Sequence, residues 1–463
     1  MQIKKGTDLE LTITNIAFGG KGIVKEDGFV IFVKDAVPGD KVLARITKKK
    51  QNYAEARVLQ LLTPSDDRKP APCEYADYCG GCTWQFLDYA KQLEYKRNHV
   101  EEALLHIGLL DKVTVLPTLP SDDIFHYRNK MEFSFSDLRW LMPAEMGTDD
   151  PLERDFALGL HIPGTFNKVL DVYKCWLMPE YGNDILNFVR DFAKNSGLPV
   201  YGLKSHVGFW RFLMLRHSVA YDQWMVNIVT SREDAVLQQL ADEITARFPK
   251  VASVVNNVTA RRAGIAVGEY EVLLAGAPYI IDCIGDFKFK ISANSFFQTN
   301  TKGAKKLYDT VKKYAALKGD EELVDLYSGT GTIPIYLSGD CKRASGMEIV
   351  AGAVADAREN CALNNVTNCD FALGDIKDCL PGAKVSPNVL IIDPPRVGMH
   401  QEVVADIMQR APERIVYVSC NPATMARDIA MLKAGYRIVE VQPVDMFPHT
   451  FHIESVALLE KIY

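Results

Sequence analysis

Near residue 286 the texture of this chain changes, and the change limits the folds open to it. From there on, short apolar runs alternate with helical patterns. Glu322-Leu-Val-Asp-Leu-Tyr reads as a strand, Ser328-Gly-Thr-Gly-Thr as a tight loop, and a helix follows from Ile333. Ala344-Ser-Gly-Met-Glu is a second strand, ending in an acid. Asn388-Val-Leu-Ile-Ile-Asp and Ile415-Val-Tyr-Val-Ser are two more. Strands that are apolar on both faces need helices on both sides, so this order predicts a parallel, doubly wound sheet. Such sheets bind ligands beyond the carboxyl ends of their strands.

The chemistry-bearing motifs stand at those predicted ends. Asp325-Leu-Tyr-Ser-Gly-Thr-Gly-Thr puts Gly329 at a strand-to-helix turn, where backbone can approach a ligand closely. Glu348 lies nineteen residues further on, ending the next strand, where a carboxylate can accept from both hydroxyls of a ribose. The spacing is not GxGxxG, and the Walker lysine is missing. A short GxG followed by an acid is the pattern of Rossmann-like S-adenosylmethionine methyltransferases, with NAD binding as the rival. Asp393-Pro-Pro-Arg-Val-Gly follows the strand at 389–392 directly. Proline cannot continue a ladder, so the chain turns out at the carboxyl edge and presents Asp393 to the pocket. A carboxylate there can hold a planar base through its ring N–H groups.

Ser419-Cys420-Asn421-Pro422 ends the strand at 415–419, which turns Cys420 toward the same pocket. Most cysteines are small buried hydrophobes, but this position favours a nucleophile. A thiolate can add to the electrophilic C6 of a uracil. C5 of uracil is too weak a nucleophile to take a methyl group unaided, and addition at C6 makes it an enolate carbon. A base must then remove the C5 proton and eliminate the thiol. Phe447-Pro-His-Thr-Phe-His-Ile-Glu454-Ser supplies Glu454 for that step, with His449 and His452 as rivals.

The N-terminal part reads differently. Residues 8–62 hold about five short strands with turns at Gly19-Gly20 and Pro38-Gly-Asp, which suggests a small barrel of OB type. Residues 1–70 carry 13 Lys/Arg against 9 Asp/Glu in a chain whose net charge is −6. A basic module on an acidic body is compatible with nucleic-acid binding, because the local patch governs phosphate contact. A Pro-rich linker at 63–72 precedes a helical pattern over 84–110, and residues 111–285 are mixed and strand-rich. No apolar run approaches the ~20 residues of a membrane helix, and the N-terminus lacks the apolar core of a signal peptide, so a cytoplasmic protein with no membrane contact is expected.

Among ten cysteines, Cys73, Cys79 and Cys82 are clustered as C-x5-C-x2-C. A chain without a leader is not expected to use a disulfide framework, so the cluster reads as metal binding. Three thiolates need a fourth ligand, and Cys175 is the remote candidate; from motif chemistry, iron–sulfur and zinc stand level.

Together these residues resemble one family, the RNA uracil-C5 methyltransferases of the RumA/TrmA type. The resemblance rests on Phe296-Phe-Gln-Thr-Asn, the Gly-rich turn, Asp393-Pro-Pro-Arg, Ser419-Cys-Asn-Pro-Ala-Thr-Met-Ala-Arg-Asp and Met446-Phe-Pro-His-Thr-Phe-His-Ile-Glu, in that order. It implies a multidomain fold of α/β and β parts. A TRAM-type OB-like RNA-binding barrel would span 1–63, and a mixed central domain with an iron–sulfur site 64–285. A Rossmann-like S-adenosylmethionine methyltransferase domain would span 286–463, with the helix at about 84–110 packed on it. The resemblance implies that Gln298, Tyr327, Glu348 and Asp393 line the S-adenosylmethionine and uracil sites, with Asp375 on the adenine side. It implies Cys420 as nucleophile, Glu454 as base, and a [4Fe-4S] cluster on Cys73, Cys79, Cys82 and Cys175. Thr332 and Tyr327 stand where many relatives have Asn and Phe. A TRAM domain together with a cluster is more typical of the 23S rRNA enzymes than of the tRNA enzyme. The expected substrate is therefore a uridine of 23S rRNA, with tRNA the alternative and a monomer the expected state. A radical S-adenosylmethionine enzyme would instead show CxxxCxxC near the start of a (βα) barrel. A non-catalytic RNA-binding protein would have no need of Cys420 together with Glu454.

Overall fold

The computed structural model describes residues 3–462 except 27, 147–151, 166, 263 and 383–386. Among the described residues the strands form three larger sheets and one hairpin. The first sheet has six strands in the order Asp8–Thr12, Lys41–Lys49, Tyr53–Thr63, Phe29–Lys34, Gly22–Glu26, Asn15–Ile16. Alternation sends Leu9, Leu11, Val42, Ala44 and Ile46 inward with Ile31, Val33 and Ala54, and their intervening residues to solvent. This is the period-2 pattern of a one-faced strand. The two-residue strand Asn15–Ile16 adds to the five that the alternation predicts.

The second sheet has eight strands in the order Tyr270–Gly276, Val251–Val258, Gln223–Thr230, Trp210–Ser218, Lys130–Ser136, Ala157–His161, Val169–Asp171, Arg139–Trp140. Helices Glu180–Asn195 and Val236–Arg247 contribute Ile185, Leu186, Leu240 and Ile244 to a core shared with Phe133, Trp210 and Val226. Gln223–Thr230 alternates in sequence but is buried on both faces. Its polar position Asn227 is satisfied by Asn257 Nδ2, 2.8 Å away, as a buried amide must be.

The third sheet carries the motifs. Its order is Cys369–Leu373, Arg343–Glu348, Glu322–Leu326, Val389–Ile392, Arg414–Ser419, Glu454–Lys461, Tyr436–Val444, Thr114–Val115. The first five strands are parallel. Glu454–Lys461 runs antiparallel between its two neighbours. Strand order reverses between Glu322–Leu326 and Val389–Ile392, the crevice where ligands of open α/β sheets lie. The edge strand Thr114–Val115 arrives from well upstream and lies parallel to Tyr436–Val444.

The helix expected over 84–110 runs from Tyr89 to His106. Asp88 starts it late, because its side chain accepts from Ala90 N and so caps the first turn. Residues 84–87 form a turn instead, and Gln92 Nε2 donates to the carbonyls of Trp84 (3.0 Å) and Leu87 (2.9 Å). The helix packs Val100, Ala103 and Leu104 against Met425, Ala426 and Ile429 of the helix Pro422–Leu432. Its end lies so close that a Cβ on Gly108 would fall 3.0 Å from the Ala426 carbonyl. No helix among the described residues is long and apolar enough to cross a membrane.

Candidate active site

Two groups of residues meet at the carboxyl ends of the third sheet. The first surrounds the Gly-rich turn. Tyr327, Gly329 and Gly331 all have positive φ (69°, 54° and 76°), so the chain doubles back between strand and helix. At Gly331 a Cβ would also sit 2.7 Å from the Phe371 ring, which leaves no room for another residue. Glu348 is held by two backbone donors, Gly329 N at 3.0 Å and Val350 N at 2.8 Å. Asp325, one residue before the end of its strand, is buried. Its Oδ1 and the Ser328 Oγ have no hydrogen-bond partner among the described residues. Burial, with the charges of Asp393 and Glu348 nearby, pushes the Asp325 carboxyl well above the usual carboxylate range. Two buried, unpartnered polar atoms beside a Gly-rich turn are what an absent polar ligand leaves behind.

Asp375 precedes the helix Ile376–Gly382 and accepts from Lys377 N at 3.2 Å. Ile349 and Leu373, large apolar side chains, stand exposed at adjacent strand ends next to Glu348 and Asp375. Gln298 lies between the hairpin Tyr279–Ile284/Phe287–Ser292 and the helix Thr301–Ala315. Asn129 Nδ2 fixes this segment by donating to the Gln298 carbonyl (2.9 Å) and to Thr301 Oγ1 (2.7 Å). The Thr332 hydroxyl is bonded to Tyr308 OH at 2.7 Å, so it braces the helix Thr301–Ala315 against the Gly-rich turn.

The second group is built on the next two strands. Asp393 N donates to the Leu326 carbonyl (3.3 Å), which joins the ends of neighbouring strands, and burial pushes the Asp393 carboxyl up to about 6. Cys420 follows Arg414–Ser419, and Asn421 caps the next helix by accepting from Ala423 N. Asn421 Nδ2 (3.1 Å) and Thr424 Oγ1 (3.3 Å) both donate to the Arg396 carbonyl, tying the cysteine turn to the Pro-Pro-Arg loop. The antiparallel register that pairs Ser419 with Ser455 brings Glu454 level with Cys420. Burial, then the charge of Glu454, pushes the Cys420 thiol up to about 11, while the Arg396 guanidinium pulls it down. Glu454 is itself buried and pushed well above the carboxylate range by burial and by Asp393, with Arg396 again opposing.

The two histidine rivals stand differently. Burial lowers both to about 4, so both rings are neutral at physiological pH. His449 is stacked on Phe125 at 4.2 Å and lies 3.2 Å from Gln92 Nε2. Its carbonyl accepts from Thr83 N (2.9 Å) and Trp84 N (3.0 Å), which ties the Glu454 loop to the cysteine segment. His452 lies within electrostatic reach of Arg396. Sequence reasoning overlooked Asp325 and Arg396. The first had a signal, an acid within an apolar strand just before the Gly-rich turn. The second had none, since its relation to Cys420 comes from the crossing of two loops.

Cys73, Cys79, Cys82 and Cys175 line one cavity of about 150 Å³ together with Arg128 and Tyr75. Gly81 N donates to Cys79 Sγ (3.3 Å), Gln85 Nε2 to Cys82 Sγ (3.2 Å), and Asn183 Oδ1 fixes Cys175 by accepting from its N–H at 2.8 Å. Among the described residues no group of three or more His, Cys, Asp or Glu side chains is drawn in tightly enough to hold a single metal ion.

The tRNA (uracil-5-)-methyltransferase family model matches residues 282–374 and 383–462, and the TRAM domain model matches residues 2–59. The chain is 44% identical to an uncharacterised RNA methyltransferase of Chlorobaculum tepidum over 100% of its own length and 98% of that protein. It is 41% identical to an RNA methyltransferase of Porphyromonas gingivalis, over 97% of this chain and 99% of that one. Among solved structures it is similar to the Pyrococcus abyssi tRNA (uracil-54, C5)-methyltransferase in complex with S-adenosyl-L-homocysteine. The TM-score is 0.77 and the identity 28%, covering 97% of this chain and 100% of that one.

Proposed function

Because the chain belongs to the tRNA (uracil-5-)-methyltransferase family of RNA methyltransferases, we propose that it methylates C5 of a specific uridine in 23S rRNA through a covalent bond from Cys420 to C6. The observation that carries this reading is the register that sets Glu454 level with Cys420, on the two strands next to the one that Asp393 ends at the switch point of the sheet. S-adenosylmethionine supplies an electrophilic methyl carbon. The unpartnered Asp325 and Ser328 fit its polar methionine end, Glu348 its ribose, and Gly329 and Tyr327 the turn beneath it. Asp375, with the exposed Ile349 and Leu373, suits the adenine edge and face, and Gln298 closes the far side.

Asp393 holds the uracil by its ring N–H. A thiol at about 11 carries about 0.01% thiolate at pH 7. Arg396 limits that rise by favouring the anion, and it is the residue to which we assign the activation of Cys420. The thiolate adds to C6, the C5–C6 π electrons become an enolate, and C5 takes the methyl group as the methyl–sulfonium bond breaks, its electron pair passing to the sulfur of the departing S-adenosylhomocysteine. Glu454 then removes the C5 proton, the double bond re-forms, and the thiolate leaves. Glu454 acts in its ionised form, and the burial that raises its pKa makes that carboxylate a stronger base, which holds the abstracted proton readily.

The four cysteines suit a [4Fe-4S] cluster. Their sulfurs surround a shared cavity rather than a tight tetrahedron, and two receive N–H donors, as cluster thiolates do. Burial alone would keep these thiols neutral, raising Cys73 to about 11 and Cys79 to about 12, so iron is what would make them thiolates. Methyl transfer moves no net electrons, so the cluster's role is structural.

The barrel joined to a cysteine site favours 23S rRNA. A tRNA substrate is the second reading, favoured by the similarity over nearly the whole chain to an enzyme named for tRNA uracil-54. Mapping 5-methyluridine in 23S rRNA and tRNA from cells lacking the protein separates the two. Loss of one rRNA site supports the proposal, loss from tRNA alone supports the second reading, and no loss in either refutes both.

A further inference from the structure

The barrel meets the loop that leads to Glu454 partly through Phe18, an exposed aromatic side chain. Phe18 lies in the loop between Asn15–Ile16 and Gly22–Glu26 and is 42% exposed. The loop is rigidly placed. Ala17 N donates to the Lys21 carbonyl (2.8 Å), and His99 Nε2 lies 3.0 Å from the Ile16 carbonyl. Beneath it Ile16, Val37, Trp84, Phe86 and Leu87 form a small core of their own, with Phe451 packed against it. Phe18 meets two rings, His99 at 5.8 Å and Phe451 at 5.4 Å, both near perpendicular (89° and 83°). Neither lies parallel to it. Phe451 in turn lies on the His452 ring at 4.2 Å, two residues before Glu454. The aromatic run thus leads from the barrel to the segment just before Glu454. Its inner member, His452, is uncharged at neutral pH, because burial lowers it to about 4.

A side chain needed only to glue the barrel down would be buried. Phe18 is held firmly from below and left open above. A uracil can reach Cys420 only by leaving its stack, which also deprives its neighbours of a stacking partner. Aromatic side chains on a basic module replace such partners in single-stranded RNA.

We propose that Phe18, with Phe451 beside it, is a stacking site for an unpaired nucleobase adjoining the target uridine. This rests on the reading of the chain as an RNA uracil methyltransferase. The barrel then does more than attract phosphate: it sets which nucleotide enters the pocket by holding its neighbour.

The test uses the full chain and an RNA fragment bearing the mapped uridine, with 2-aminopurine placed singly at each flanking position. Wild-type protein should quench one position strongly. Phe18→Leu, which keeps apolar bulk, should lose that quenching and weaken RNA binding about tenfold or more, while Phe18→Tyr keeps both. Melting temperature and S-adenosylmethionine affinity should match wild type in both variants. Unchanged quenching and affinity in Phe18→Leu would overturn the proposal. So would a loss of affinity accompanied by a matching fall in melting temperature, since that marks Phe18 as glue. Quenching needs no turnover, so it is read separately from methylation. A 5-fluorouracil version of the fragment that fails to form an adduct with wild-type protein would count against the enzymatic reading alone.

Discussion

Cys420 sits in a pocket that works against its own reactivity. Burial and the charge of Glu454 hold its thiol near 11, and the Arg396 guanidinium pulls the other way. Thiolate content below that value grows about tenfold per pH unit. The rate of adduct formation with 5-fluorouracil RNA should therefore rise with pH between about 7 and 9. Arg396→Gln should slow it at every pH in that window. A flat profile, equal in both proteins, would contradict the role given to Arg396. Cys420→Ala should abolish methyl transfer while S-adenosylmethionine still binds, as equilibrium dialysis would measure, because C5 stays unactivated. More than a few per cent of the wild-type single-turnover rate would remove Cys420 from the role of nucleophile. Glu454→Gln should accumulate a denaturant-stable RNA–protein complex with ordinary RNA, since methylation precedes loss of the C5 proton. Free methylated product at the normal rate would pass the role to His452, the histidine within reach of Arg396.

At the scale of elements, the helix Tyr89–His106 clamps the loop that carries Glu454. Lys96 and Asp445 form a wholly buried ion pair at 2.6 Å, and Lys96 Nζ also donates to the Phe447 carbonyl at 3.0 Å. Asp445 accepts from Tyr89 OH at 2.9 Å and from Phe447 N at 3.0 Å. Removing one partner of a buried pair strands the other charge and costs about 3–5 kcal/mol. Lys96→Met should lower the urea midpoint accordingly, and adding Asp445→Asn should recover a good part of the loss. If Lys96→Met unfolds at the wild-type midpoint, the clamp is not a source of stability. The clamp was invisible in the sequence. Lys96 stands in a pattern whose heads are normally solvated, and its partner is some 350 residues away.

At the scale of the molecule, the segment holding Cys73, Cys79 and Cys82 lies where barrel, helix and Glu454 loop converge. Trp84 Nε1 donates to the Gly20 carbonyl in the barrel at 3.4 Å, while Thr83 N and Trp84 N donate to His449 in the loop. Anchoring the segment should therefore orient all three. Protein purified without air should be brown, with about four iron atoms per chain. Cys79→Ala should lose the iron, RNA affinity and several degrees of melting temperature together, while S-adenosylmethionine binding persists. Zinc in place of iron, or no change in affinity, melting temperature and turnover, would refute this account.

Local pattern alone determined the sheet that carries the site. Strands apolar on both faces, a Gly-rich turn and a proline pair at a strand end depend on a few consecutive residues, so Glu348, Asp393 and Cys420 could be set at carboxyl ends from the sequence alone. The barrel was legible for the same reason, since inward and outward positions alternate within each strand. Only the tertiary structure decided which ends face one another. It inserted Glu454–Lys461 antiparallel beside Arg414–Ser419, which brings Glu454 level with Cys420. It also crossed the Arg396 loop over Cys420, recruited Thr114–Val115 from far upstream to the sheet edge, and set Phe18 against Phe451. Those pairings join segments tens to hundreds of residues apart. No local pattern encodes them, because they are chosen by which buried surfaces and hydrogen bonds are satisfied once the whole chain has packed.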